Sequence, residues 1–384
     1  MAQTLTNPLP LVVHLLYRLD FGGLETLVAE CVNRMPADKY RHAIVCLTDY
    51  TAFSQKITRP GVEIHALHKP PGLGLGTHAK LWKLLRKLKP AILHTYNLAA
   101  IEYSFTAAMA GVPVRIHAEH GRDLSDPQGK NPKHNMLRRL LIPFIDCYVP
   151  VSRDLRQWLK DVIRVPEDKN LLINNGVDTA HFHPALGQAS QEDAAARPFV
   201  VGTVGRVQDI KNHKGLVIAF QRLLELLPEY KDRLRLQIVG DGPLMAQLKE
   251  QVQTAGLSEH IWLAGARADI ADLMRGFSVF VLPSFAEGTP VTLLEAMSSG
   301  LPVIASAVGG IPDVVSEQHT GILIQATDHE AIAASLADYY RQPEKAAAHG
   351  AAGRLLVEQR YSIAAMLLNY TRLYDALCQA KLNK

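Results

Sequence analysis

Residues 282–313, LPSFAEGTPVTLLEAMSSGLPVIASAVGGIPD, decide the fold. An apolar strand, Val279 to Leu282, runs into a polar loop carrying Glu287 and Gly288. Thr289 offers a hydroxyl at the N-cap position. Pro290 falls at the first helical residue, where its missing N–H costs nothing. The helix carries Glu295 and stops at Gly300–Leu301–Pro302, a glycine past the end followed by a breaker. A strand from Val303 to Ala305 follows at once. Such a unit sets bare amides and the positive end of a helix beside a loop carboxylate, which suits a ligand with an anionic phosphate and neutral hydroxyls. Glu287, and Glu295 two turns into the helix, can each accept hydrogen bonds from vicinal hydroxyls of a sugar. An ordinary βαβ crossover with two solvated glutamates would look the same at those two positions alone.

Outward from this unit, short apolar runs alternate with helical patterns, the mark of parallel α/β layering. The second half reads as strands at 199–204, 234–239, 261–263, 279–282, 303–305 and 322–324. Its helices fall at 214–227, 243–255, 269–275, 290–299, 311–316 and 329–340. In the first half, strands are expected at 10–16, 42–47, 62–66, 91–94, 114–118, 146–150 and 171–173. Helices come between them at 23–35, 78–88, 99–110, 133–143 and 152–163, and a last helix, 362–380, follows a break near Tyr361. The polar, alanine-rich stretch Gly187 to Pro198 has linker composition and no apolar periodicity. One domain is therefore expected at residues 1–186 and a second at 198–361, and 384 residues suffice for two cores.

Apolar residues make up 48% of the chain and charged ones 20%, so a packed protein is expected rather than a disordered one. Cys31, Cys46, Cys147 and Cys378 form no C-x-x-C pair, which argues against disulfides or a zinc site and fits a reducing cytoplasm. The first apolar run, Leu9 to Leu16, is short, includes His14 and follows no basic segment, so it reads as a buried strand and not a signal peptide. No run of 18 apolar residues is present to span a bilayer. Charge is uneven. Residues 1–178 carry 23 Lys and Arg against 16 Asp and Glu, whereas residues 179–384 carry 18 against 21. The first half is expected to meet something anionic.

Four further motifs bear on chemistry. Asp20–Phe21–Gly22–Gly23 opens the first helix, where paired glycines let backbone amides approach a ligand; a plain tight turn would also use them. A full G-x-G-x-x-G is missing, which disfavours a nicotinamide site. His117–Ala118–Glu119–His120–Gly121–Arg122–Asp123 lies at the C-terminal end of a strand, where parallel sheets bind ligands. Gly202–Thr203–Val204–Gly205–Arg206 leads by a loop to Lys211, and two fixed cations can neutralise a diphosphate without magnesium. A solvated Arg/Lys pair would look alike. Leu263–Ala264–Gly265–Ala266–Arg267 ends another strand, and Asn175–Gly176 is a plain turn signal. No D-x-D element or structural metal spacing occurs, so no metal is expected.

The string E-G-x-P-x-x-x-x-E from Glu287, followed by A-M-S-S-G-x-P-V-I-A, resembles the donor-site signature of family-4 retaining glycosyltransferases. Gly205–Arg206 with Lys211 resembles that family's G-R-x-x-x-x-K, here followed by Asn212–His213 in place of the commoner glycine. The likeness runs from Gly22 to the C-terminal helix. It implies the GT-B architecture: two Rossmann-like domains facing across a cleft, with the last helix, about 362–384, crossing back to the first domain. It also implies a hexosyl transfer from a nucleoside-diphosphate sugar, most commonly UDP-linked, to a saccharide or lipid-linked acceptor in surface polysaccharide or glycolipid synthesis, at the cytoplasmic side and without a cofactor. Arg206 and Lys211 would hold the diphosphate, Glu287 the sugar hydroxyls, Glu295 the ribose, and His120 would reach the sugar from the other lobe. Gly22 and Gly23, and Gly288, Thr289, Pro290 and Val291, would line the donor; Arg267 would meet the base, and Arg122 the acceptor.

Two basic amphipathic stretches, His78 to Lys89 and Lys130 to Phe144 with Lys133, Arg138 and Arg139, are normal for surface helices and equally suited to an anionic membrane surface. Nucleic acid is disfavoured, since few aromatics interleave the basic residues. A nucleotide-sugar 2-epimerase shares the two-domain layout. The rival of another class is a non-catalytic GT-B subunit, which would be expected to lose Arg206, Lys211 or a glutamate; none is lost.

Overall fold

The computed structural model describes residues 9–72, 74–123, 126, 128–185 and 197–382, and the chain divides into two compact units. The first unit comprises residues 1–175 with 364–384, the second residues 176–363. The division thus falls at Asn175–Gly176, ahead of the stretch 187–198, most of which lies outside the described residues. Residues 176–185 belong to the second unit because Val177 and Phe182 are buried in its core and Val177 bridges to Ser362.

The first unit is built on six parallel strands: β1 (Leu11–Leu16), β2 (Arg41–Cys46), β3 (Glu63–Ala66), β4 (Ile92–Tyr96), β5 (Val114–Glu119) and β6 (Cys147–Pro150). Their order is β3-β2-β1-β4-β5-β6. Its helices are α1 (Gly23–Arg34), α2 (Leu75–Leu88), α3 (Asn97–Ile101), α4 (Tyr103–Met109), α5 (Pro132–Leu141) and α6 (Arg153–Trp158). The chain reverses direction across the sheet after β3. Right-handed crossovers therefore place α2, α4 and α5 on the face opposite α1. On that face Val13, Leu15, Val45 and Leu93 pack against Leu81 and Leu85 of α2 and Tyr103 of α4. The other face carries His14, His42 and His94, and the last helix, α14 (Ile363–Leu382), covers it. Tyr374 bonds His94 Nδ1 at 2.8 Å, and Asp375 accepts from Tyr40 and Lys39, both at 2.7 Å. The return of the last helix to the first unit is as expected.

The second unit repeats the plan with β7 (Phe199–Val204), β8 (Leu234–Val239), β9 (Ile261–Gly265), β10 (Val279–Leu282), β11 (Val303–Ser306) and β12 (Ile322–Ile324), ordered β12-β11-β10-β7-β8-β9. Its helices are α7 (His213–Leu226), α8 (Met245–Thr254), α9 (Ile270–Arg275), α10 (Val291–Ser298), α11 (Ile311–Val314), α12 (His329–Arg341) and α13 (Pro343–Arg360). All twelve strands run close to their expected places, and the central ones, such as β1, β4, β7 and β10, are buried on both faces.

Three readings of the sequence need correction. Residues 171–173 form no strand: Leu171 and Ile173 donate to Tyr148 O and Pro150 O along the edge of β6 but do not extend the ladder. The helix expected at 99–110 is two, α3 and α4, meeting at Glu102. The 18-residue α13 was not expected at all, since its alanine-rich sequence with two glycines has no apolar stripe; the signal was Pro343 at a helix start.

Candidate functional site

Ligands of open parallel sheets bind where strand order reverses. In the second unit that point lies between β7 and β10, and the loops that follow these strands carry the motif residues. After β7, Arg206 is exposed and makes no ion pair among the described residues. A short 3₁₀ turn, Asp209–Lys211, then leads to Asn212, left-handed at φ +53°, whose side chain caps α7 at Gly215 N. Lys211 reaches back across the reversal. Its Nζ donates to Glu287 Oε1 at 2.6 Å, with the two side chains 19% and 9% exposed.

The loop holding Glu287 is itself held. Gly310 N donates to Gly288 O at 2.9 Å, and Gly309, at φ +53°, lies so close that a Cβ there would sit 1.8 Å from Glu287 O. Only glycine fits this approach. The signal in the sequence was the G-G before Ile311–Pro312, to which sequence reasoning gave no role.

The expected cap is corrected by one residue. Pro290, with φ −70° and ψ 120°, occupies the N-cap position itself, so α10 begins at Val291; Thr289 is buried one residue before it. Proline has no side-chain acceptor of its own to offer the first-turn amides of α10. Glu295, one turn further on, is half-buried, and no donor reaches its carboxylate among the described residues. Burial pushes this carboxyl up to about 7. Arg267 follows β9, exposed and bound in a fork to Asp269 at 2.8 and 2.6 Å, which raises the guanidinium further.

In the first unit, order reverses between β1 and β4. Gly22, extended at φ −171°, caps α1, and Gly23 is its first residue; the Glu25 carboxylate folds back over Gly22. His120 follows β5, and its amide donates to Asn97 Oδ1 at 2.8 Å. Asn97 is left-handed at φ +57° and begins α3, a positioning residue that sequence reasoning missed. Both ring nitrogens of His120 are buried without partners among the described residues, and burial lowers its value to about 4. A neutral imidazole so placed is ready to bond an incoming hydroxyl.

The neighbours of His120 behave differently. His117 bonds Thr95 at 2.8 Å and Glu119 at 3.2 Å, wholly buried. Burial would raise the Glu119 carboxyl, but Arg138 and His117 hold it at about 2; Arg138 Nε lies 2.6 Å from it. Arg138, counted above on a basic surface, is thus 2% exposed and internal. Arg122 pairs with Asp154 at 2.8 Å and lies over the Trp158 ring, 5.6 Å from its centroid.

Two α/β units, each with charged residues and helix starts at its switch point, define a class of doubly wound two-unit proteins. Comparison with known sequences makes the assignment specific. The profile described as "Glycosyltransferase Family 4" matches residues 21–181, and that described as "Glycosyl transferases group 1" matches residues 188–356. EpsF of Bacillus subtilis, a protein grouped with the glycosyltransferases, is 30% identical over 314 residues, 77% of this chain and 78% of that one. The UDP-Gal:alpha-D-GlcNAc-diphosphoundecaprenol alpha-1,3-galactosyltransferase of Escherichia coli is 32% identical over 258 residues, covering 65% of this chain and 66% of its own. Among solved structures, Anabaena HepE in complex with UDP and glucose superposes with a TM-score of 0.80 at 19% identity, covering 96% of this chain and 100% of that chain, which shows the GT-B fold. The chain belongs to the family-4 glycosyltransferases.

Proposed function

We propose that this glycosyltransferase is a retaining enzyme that moves a hexosyl group from a UDP-linked donor to a saccharide or lipid-linked acceptor of surface polysaccharide or glycolipid synthesis, with no metal required. The observation that carries the reading is the Lys211–Glu287 pair across the β7/β10 switch point. It sets a cation and a carboxylate side by side, as a diphosphate beside a sugar requires. Arg206 and Lys211 supply the positive charge that neutralises the departing diphosphate, aided by the positive end of α10. Glu287 keeps Oε2 for a sugar hydroxyl, and Glu295 accepts from the ribose. In the reaction the bond from the anomeric carbon to the diphosphate oxygen breaks. The acceptor oxygen bonds that carbon on the same face, and its proton passes to the leaving phosphate, so no separate general base is assigned. In the first unit, His120 offers a neutral ring to a substrate hydroxyl. Support for a UDP donor and a lipid-linked acceptor comes from relatives and neighbours whose names carry them.

The test is thermal stabilisation by a panel of nucleoside diphosphates and their sugars, with and without chelator. Stabilisation by uridine compounds, indifferent to chelator, is expected. A shift with another base overturns the donor, a chelator-sensitive shift overturns metal independence, and no shift with any of them favours a non-catalytic GT-B subunit.

A further inference from the structure

Past their carboxyl ends, β1 and β2 continue as two loops that run side by side, residues 17–21 and 48–53. Thr48 N and Thr48 Oγ1 both donate to Tyr17 O at 2.9 Å, Leu19 N donates to Asp49 O at 3.3 Å, and Thr51 N donates to Leu19 O at 3.0 Å. Leu19, opposite Tyr50 in this pairing, is wholly buried and pins the two loops to the core. Asp20 adds a side-chain tie: its Oδ1 accepts from Phe21 N at 2.9 Å and from Thr51 Oγ1 at 3.0 Å. On this fixed base three large aromatic side chains stand out, Tyr17 at 54% exposed, Phe21 at 67% and Tyr50 at 42%. Phe21 meets the buried Phe53 ring edge-on with centroids 5.4 Å apart, so an exposed ring is held in place.

A single exposed aromatic residue is ordinary, but three on two bonded loops at the ligand edge of a parallel sheet point to a ligand. β1 is one of the two strands between which the order reverses, and Phe21 is followed at once by Gly22 and the start of α1. His120 follows β5 at this same edge. Charge then narrows the ligand. Residues 17–25 and 48–53 hold one cation, Arg18, against three acids, Asp20, Glu25 and Asp49. Arg18 Nε already lies 3.5 Å from Asp20 Oδ2. Such a surface repels a phosphate and offers acceptors to hydroxyls. The faces of Tyr and Phe rings are the negative part of their quadrupole, so they attract the C–H face of a pyranose, which is apolar and weakly positive.

We propose that Tyr17, Phe21 and Tyr50 form a stacking platform for the sugar ring that receives the transferred group, and that the platform selects a neutral pyranose over a polyol phosphate. This rests on the proposed reading of the chain as a sugar-transferring enzyme and names the chemistry of its acceptor end. The selection acts on the ring that attacks the donor and not on groups further along an acceptor.

The experiment is saturation-transfer NMR on the full chain, with and without uridine diphosphate. The probes are the methyl glycosides of glucose, galactose, mannose and N-acetylglucosamine, and myo-inositol 1-phosphate as the anionic polyol. A signal on the ring C–H protons of at least one glycoside is expected, and none from inositol phosphate. Phe21→Ala/Tyr50→Ala should weaken binding of that glycoside by at least about tenfold, and Phe21→Tyr should retain it. Tyr230→Ala removes an exposed aromatic residue ahead of β8 in the second unit and should change nothing. Circular dichroism should show each variant folded, since the substituted side chains are exposed. No signal from any glycoside, a signal unchanged in the double variant, or an equal signal from inositol phosphate overturns the proposal. The readout is independent of catalysis. If uridine nucleotides stabilise the protein and no glycoside binds, the platform fails alone; if a glycoside binds through Phe21 and Tyr50 and no nucleotide does, the function fails alone.

Discussion

Replacing Glu295 by glutamine tests the donor site most sharply, because the residue's burial makes opposite predictions for binding and stability. Burial raises the carboxyl from 4.5 to about 7. If the ionised group accepts the ribose hydroxyls, donor affinity follows its ionised fraction, which falls about tenfold from pH 8 to pH 6. Uridine diphosphate should therefore bind wild type about tenfold more weakly at pH 6, beyond whatever change the Glu295→Gln variant shows. At pH 8 the variant should bind more weakly, by about 1.5–3 kcal/mol for hydrogen bonds to a charged group. Stability runs the other way. A folded value above the unfolded one means that the group is most favourable below pH 4.5 and that stability is lost as pH rises toward 7. The full shift amounts to about 3 kcal/mol, and the partial solvent exposure of the side chain reduces this to about 1–2 kcal/mol. Titration calorimetry across pH gives the first quantity, and denaturant unfolding of the free protein at pH 8 gives the second. Parallel pH profiles for both proteins, or a variant less stable than wild type at pH 8, would refute the reasoning.

Lys211→Ala should lower transfer about a hundred- to a thousandfold while circular dichroism shows a folded protein; retained turnover would remove Lys211 from the site. Gly309→Ala places a methyl 1.8 Å from Glu287 O, so the loop must move; donor affinity should fall while the far-UV spectrum stays native. In the first unit, burial lowers His14 to about 3 and His42 to about 2, with the charges of His14 and Arg59 adding to the latter. Both folded values lie below the unfolded 6.5, so stability is complete above pH 6.5 and is lost as pH falls toward 3. Each costs about 2 kcal/mol at pH 5. Tryptophan emission in a Trp262→Phe background should show the first unit unfolding more easily at pH 5 than at pH 7.5, and the loss should shrink in His14→Gln/His42→Gln.

The sequence by itself determined the two sheets, since strands buried on both faces appear as unbroken apolar runs that no other element explains. It also marked the candidate donor-site residues, because Arg206, Lys211 and Glu287 follow strand ends and Glu295 stands at a fixed spacing beyond them. What it left undecided depends on contacts between distant segments. That Lys211 meets Glu287, 76 residues away, follows from the neighbouring places of β7 and β10 in the sheet. That Gly309 holds the Glu287 loop, and that Asn97 holds His120, are likewise meetings of separate loops at one sheet edge. Arg138 looks like part of a basic surface in sequence, yet it turns inward because Glu119 waits at the end of β5. The bonded run of residues 17–21 with 48–53, which sets Phe21 and Tyr50 on one base, appears only once β1 and β2 lie side by side. Local pattern decides which segments become strands and helices; sheet order and packing decide which of their side chains meet.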